Sequence, residues 1–174
     1  MAESPPTHVD SILPIEEHLR RFRLDLGAEP AALSGGARSR DALVARFARA
    51  LTERDTAAFA DMLLTGAEFG WLYYPHTRFT APPYRLAPEL LWMQIQNGSS
   101  RGFGRLLDRL GGTTADAGTY RCAPEPIVEG PNTLWEGCVL TAAAPGAEPK
   151  EIRLFGSILE RDGVFKFVSY TNDF

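Results

Sequence analysis

From about Thr119 to the C-terminus the chain keeps a period of two and offers no helical run, so its last third must form an antiparallel sheet. Four strands are read, at roughly 119–128, 133–143, 150–161 and 163–171. EGPN and PGAEP supply two of the joins, and Asp162-Gly163 is the strongest hairpin signal in the chain, because a type I′ turn needs positive φ. The third strand is apolar at both parities, with Ile152, Leu154 and Ile158 on one side and Phe155 and Leu159 on the other. A sheet apolar on both faces must be covered twice. Helices cover one face, and the N-terminal segment or a second copy of the chain must cover the other, so a homodimer through the sheet face is one expectation.

The preceding residues read as helices. Residues 1–11 are polar and proline-bearing and are expected to form a disordered tail. Ile15, Leu19 and Phe22 then fall at i, i+4 and i+7 among mixed charges, which makes an amphipathic arm; GAEPAALSGGAR follows as a linker, so that residues 12–38 form one segment. Ser39 suits the N-cap of a helix that buries Leu43, Phe47 and Leu51, and Asp55 or Thr56 that of a shorter one with Phe59, Met62 and Leu63 inward; Thr65 and Gly66 end it. Phe69, Trp71, Leu72, Tyr73 and Tyr74 form a β-prone run that ends at Pro75. A further helix opens at Pro88, breaks near Asn97 and Gly98, and resumes to Leu110. Helices followed by an antiparallel sheet make an α+β domain over residues 39–174.

Bulk properties exclude several classes. The 174 residues fit one domain, and a formal net charge of −4 speaks against a phosphate-binding, nucleic-acid surface. No apolar run approaches the roughly 20 residues of a transmembrane helix. MAESPPTHVD lacks the regions of a signal peptide, so the chain is expected to be soluble; it also reads as a chain begun after a removed leader, which favours an extracytoplasmic place.

The order of elements, with RDALVARFARALTERDTAAFADML leading into the aromatic run, resembles the nuclear-transport-factor-2-like superfamily, the cone-shaped fold of SnoaL-like cyclases and ketosteroid isomerases. EFGWLYYP, APELLW and FKFVSYTND are similar to segments of bacterial members with no assigned activity. The resemblance implies a curved antiparallel sheet wrapped around N-terminal helices, and a cavity between them. It implies no reaction, since neither the Tyr-and-two-Asp set of the isomerases nor the paired histidines of scytalone-dehydratase-like members has a match among His8, His18, His76 and the carboxylates.

Candidate site residues follow from the residues themselves. His76, just after YYP, has a near-neutral pKa suited to proton transfer, with a loop residue hydrogen-bonding its backbone as the alternative, and Glu68, which opens the aromatic run, is the second proton-transfer candidate. If the run is a strand, Phe69, Trp71 and Tyr73 share a face and form pocket-wall candidates, with a plain core as the alternative. Trp92 and Gln96 are four apart on one helical face, while Gln94 is not on it, and Tyr170 is a further candidate near the C-terminus. Arg78 and Arg85 flank the proline-rich loop and could meet an anion, or simply be solvated. Nothing calls for a metal or a cofactor.

The two cysteines are informative. A three-residue loop of Glu129, Gly130 and Pro131 would set Cys122 directly opposite Cys138 on neighbouring strands; a loop one residue different would not. A disulfide, which would indicate an oxidising compartment, and two small buried hydrophobes both remain open. Three functions fit: a module binding a small, largely apolar ligand, an isomerase- or cyclase-like enzyme using His76 or Glu68, and a structural or interaction protein whose core is filled by its own aromatics.

Overall fold

A computed structural model describes residues 12–174; the expected tail over residues 1–11, and His8 with it, lies outside them. The chain is α+β. Among the described residues, helices α1 (Ile15–Leu24), α2 (Arg40–Glu53), α3 (Thr56–Met62), α4 (Gly66–Glu68) and α5 (Pro88–Leu110) precede seven strands. These are β1 (Asp116–Arg121), β2 (Ile127–Glu129), β3 (Asn132–Trp135), β4 (Val139–Ala142), β5 (Lys150–Ile152), β6 (Ile158–Arg161) and β7 (Val164–Phe167). Several local signals act as read. Ser39 Oγ accepts from Ala42 N and Asp55 Oδ1 from Ala58 N, both at 3.0 Å, each satisfying a donor that a helix start leaves orphaned. Asp162 and Gly163 take φ of 52° and 76° and turn β6 into β7.

The expectation of four long strands is corrected, because each of the first three is broken. Pro124 and Pro126, which cannot donate to a ladder, separate β1 from β2; residues 136–138 separate β3 from β4, and residues 153–157 separate β5 from β6. Two antiparallel sheets result, ordered β1-β4-β5 and β2-β3-β6-β7. Pairing slips by one residue between them: Arg121 opposes Val139 but Ile127 opposes Leu134, and Leu140 opposes Ile152 but Leu134 opposes Leu159.

That slip closes the disulfide. The loop between β2 and β3 has two residues, not three, because Glu129 pairs with Asn132. Continued unbroken, that register would misalign the cysteines. The shift at the break restores them, so that Cys122 follows Arg121 opposite the residue preceding Val139, and the Cys122–Cys138 bond forms.

Both sheet faces are covered within the one chain. In the larger sheet Ile158 opposes Phe167, while Leu159 opposes Lys166 on the other face. The Ile158 face packs, with Phe155 and Phe167, against Phe47 of α2, Phe59 of α3 and Leu106 of α5. The Leu159 face is covered by Leu64, Phe69, Leu72, Tyr73 and Tyr74, and outside these lie Ile15, Leu19 and Phe22 of α1. The arm and the aromatic run together thus remove the packing argument that suggested a second copy. The free edge of β7 is also occupied, since Ala37 and Phe165 exchange backbone bonds at 3.0 and 2.8 Å.

The aromatic run is helical, which corrects the strand expected there. Thr65 Oγ1 accepts from Glu68 N at 3.2 Å while Glu68 Oε2 accepts from Thr65 N at 2.9 Å, forming a capping box that starts α4. The chain continues through a wide π-helical turn over Phe69–Tyr73 and a tight one over Tyr74–His76. Helical spacing puts Phe69, Leu72 and Tyr73 on the buried side, and that packing overrides the β preference of the residues. At the base of the following loop Tyr74 Oη donates to Leu86 O at 2.6 Å.

The expected break in α5 is likewise corrected, since the helix runs unbroken from Pro88 to Leu110. Its glycines let the C-terminal segment lie against it. A Cβ on Gly102 would stand 1.9 Å from Tyr170 O, and one on Gly98 2.6 Å from Thr171 Oγ1. Polar bonds fasten the contact: Tyr170 N donates to Ser99 Oγ at 3.0 Å, Asn172 Nδ2 to Gly102 O at 2.8 Å, and Arg105 Nε to Asn172 Oδ1 at 3.0 Å.

Candidate functional site

The unbroken α5 carries one stripe at helical spacing, Trp92, Gln96, Ser99, Ser100 and Phe103, that faces α3 across a groove of about 460 Å³. Phe59 and Ala60 of α3 form the opposite wall, Leu63 to Gly66 close one side, and Val168 and Tyr170 form the floor. Three rings interlock there: Phe59 meets Phe103 at 5.3 Å and Tyr170 at 5.4 Å, both edge to face. The volume lies in the range of small-molecule sites, which are mostly apolar with a few polar groups.

The polar groups of the lining are all neutral: the hydroxyls of Thr56, Thr65, Ser99, Ser100 and Tyr170 and the amide of Gln96. The Tyr170 phenol donates to Phe59 O, and burial raises its pKa, so it stays protonated. No Asp, Glu, His, Lys or Arg belongs to the lining.

Of the ligand-contact candidates, Trp92, Gln96 and Tyr170 come together in this groove. Phe69 is fully buried behind it, its ring 4.8 Å from Trp92. The helical turn takes Trp71 off the face it was expected to share with Phe69 and Tyr73, because alternate residues of a helix diverge by about 200° while residues four apart stay together. Trp71 lies half-buried with the Arg23 guanidinium 4.0 Å over its ring, and Tyr73 is buried on the Leu159 face with its phenol pushed up to about 12 by burial.

The two proton-transfer candidates stand outside the groove lining. Glu68 is buried, with Oε1 accepting from Ser34 N at 2.9 Å and Oε2 from Lys166 Nζ at 2.8 Å, the lysine being equally buried. Burial pushes this carboxyl up, but the Lys166 ammonium and the Ser34 and Thr65 amides outweigh it and leave the pKa below the ordinary carboxylate value. His76 is exposed beside Gly130, and the desolvation it does undergo, then the Arg161 charge, lowers its pKa. Arg78 pairs with Glu136 at 3.2 Å, and Arg85 lies at the separate cleft between α1 and the proline-rich loop.

Sequence reasoning missed Ser99, Ser100, Phe59 and Phe103 as lining residues. The signal was present in the three- and four-residue spacing from Trp92 to Phe103, and the break placed at Asn97 and Gly98 hid it. Among the described residues no cluster of three or more His, Cys, Asp or Glu could hold a metal ion, and no helix is long and apolar enough to cross a membrane. No family model, curated protein or solved structure matches the chain.

Proposed function

We propose that the protein is a binding domain for a small, largely apolar molecule held in the groove between α3 and α5. One observation carries the reading: a site-sized, aromatic-walled groove whose polar groups are few and neutral, with Gln96, Ser99 and Ser100 together on one helix stripe. The isomerase- or cyclase-like alternative needs an ionisable group at the ligand, and it draws no support from Glu68, which is saturated by Lys166, Ser34 and Thr65, or from His76, which lies outside the lining. The reading of a self-filled structural core accounts for the Leu159 face but leaves the groove unused.

We further infer that the fold is a distant variant of the nuclear-transport-factor-2-like cone. Helices followed by successive antiparallel strands, three of them interrupted so that the strands divide between two sheets, support it. The disulfide supports an extracytoplasmic place of action.

The test is a titration with Nile red, a neutral apolar dye, followed by fluorescence. Saturable one-site binding is expected in the wild type, and Ala60→Phe, which fills the groove from an exposed position on α3, abolishes it. Dye binding that survives Ala60→Phe, or an absence of saturable binding to the wild type, would sink the proposal.

A further inference from the structure

The groove also carries a statement about the head group of what it binds, which rests on the binding reading above. Its lining holds both donors and acceptors but no charge. Ser99 Oγ accepts from Tyr170 N and keeps its hydroxyl hydrogen and a second lone pair, while Gln96 and Ser100 sit beside it, exposed on the same stripe of α5. Two ion pairs close in sequence to the lining are closed on themselves. Asp61, next to Ala60, is held by Arg46 at 2.6 Å, and Glu68, two residues beyond Gly66, by Lys166. Arg101, next to Ser100, is exposed and not part of the lining.

A carboxylate seated against Ser99, which is 6% exposed, would lose water on that side and meet no counter-charge, which costs more than burying a hydrogen-bonded neutral group there. A hydroxyl or amide both donates and accepts, and so matches the Gln96 amide and serine hydroxyls; a carboxylate only accepts. We propose that the groove selects neutral amphiphiles, an apolar chain or ring ending in an uncharged hydroxyl or amide seated at Gln96, Ser99 and Ser100, and discriminates against the matching carboxylate.

The experiment compares octanol, octanamide and octanoate at about pH 8, where a carboxyl is ionised. Binding is read from the backbone amide resonances of Gln96 and Ser99, with Nile red as the reference ligand. The two neutral compounds are expected to bind at least about ten-fold more tightly than octanoate, a margin within reach of one uncompensated charge. Gln96→Lys, a change at an exposed helix position, supplies a cation and is expected to raise octanoate affinity about ten-fold while octanol gains nothing. Equal affinity for octanol and octanoate in the wild type overturns the head-group inference but leaves the binding reading standing. A preference that Gln96→Lys does not alter overturns the placing of the head group at this stripe. If Nile red and all three compounds fail to bind, the binding reading itself falls, and this inference falls with it.

Discussion

Lys166 Nζ lies 2.8 Å from Glu68 Oε2, and both side chains are 2% exposed. The bond joins the one charged side chain buried on the Leu159 face of β7 to the capping box that starts α4, and so pins the aromatic run to the sheet. Breaking a buried pair by removing one partner leaves the other charge uncompensated, at a cost of about 3–5 kcal/mol. Lys166→Met is expected to destabilise by that amount in urea unfolding, and the Lys166→Met/Glu68→Gln double variant to recover much of it. A single-variant loss below about 1 kcal/mol would show the pair to be dispensable.

The pair also sets an acid limit. The folded pKa of Glu68 lies below the ordinary glutamate value of 4.5, so the stability from its ionisation is present above that value and is lost as pH falls below it toward the folded pKa. Asp61 beside Arg46 shifts in the same direction. Wild-type stability is expected to fall as pH drops below about 4.5, with a shallower fall in Glu68→Gln. Identical slopes in the two proteins would remove Glu68 from the explanation.

At the alkaline end the sign reverses. Burial raises the phenols of Tyr73 and Tyr74 from 10.0 to about 12, so their contribution is complete below pH 10 and declines as pH rises from there toward 12. Tyr73→Phe removes one of these ionisations and is expected to lessen the stability loss between those pH values. Calorimetric melting across that range measures it, and an unchanged slope would contradict it.

Two glycines of one helix are expected to respond in opposite senses to alanine. Gly102→Ala drives a Cβ to within 1.9 Å of Tyr170 O, and because the obstacle is backbone, helix and C-terminal segment must separate. A loss of about 3 kcal/mol or more is expected. Gly104 has nothing within 4 Å, so Gly104→Ala gains about 0.5–1 kcal/mol from helix propensity alone. Melting temperatures of the two variants decide the matter, and a neutral Gly102→Ala would refute the close packing.

The Cys122–Cys138 bond closes a loop across sixteen positions, for which loop-closure entropy gives about 3 kcal/mol. Reduction, or the Cys122→Ala/Cys138→Ala double variant, is expected to lower stability by roughly that amount. An equal melting temperature with and without reductant would show that the bond does not form in solution.

By itself the sequence determined what is local. Ser39 and Asp55 mark their helix starts because a side-chain oxygen and an amide three residues on suffice, and Asp162-Gly163 marks its turn because φ there is positive. The two-sided apolar pattern of residues 152–159 likewise dictated that both faces of the sheet be covered. Some of what was misread was local too: Thr65 and Glu68 spell a capping box, and Pro124 and Pro126 forbid an unbroken first strand. What only the tertiary structure decided rests on contacts between residues far apart in the chain. Asn97 and Gly98 read as a break until Thr171 lies against Gly98 and Tyr170 against Gly102, and only then is α5 one helix with one groove-facing stripe. The cysteines meet through a register slip that no turn sequence encodes, and Glu68 finds Lys166 ninety-eight residues away, where removal from water makes their pairing obligatory.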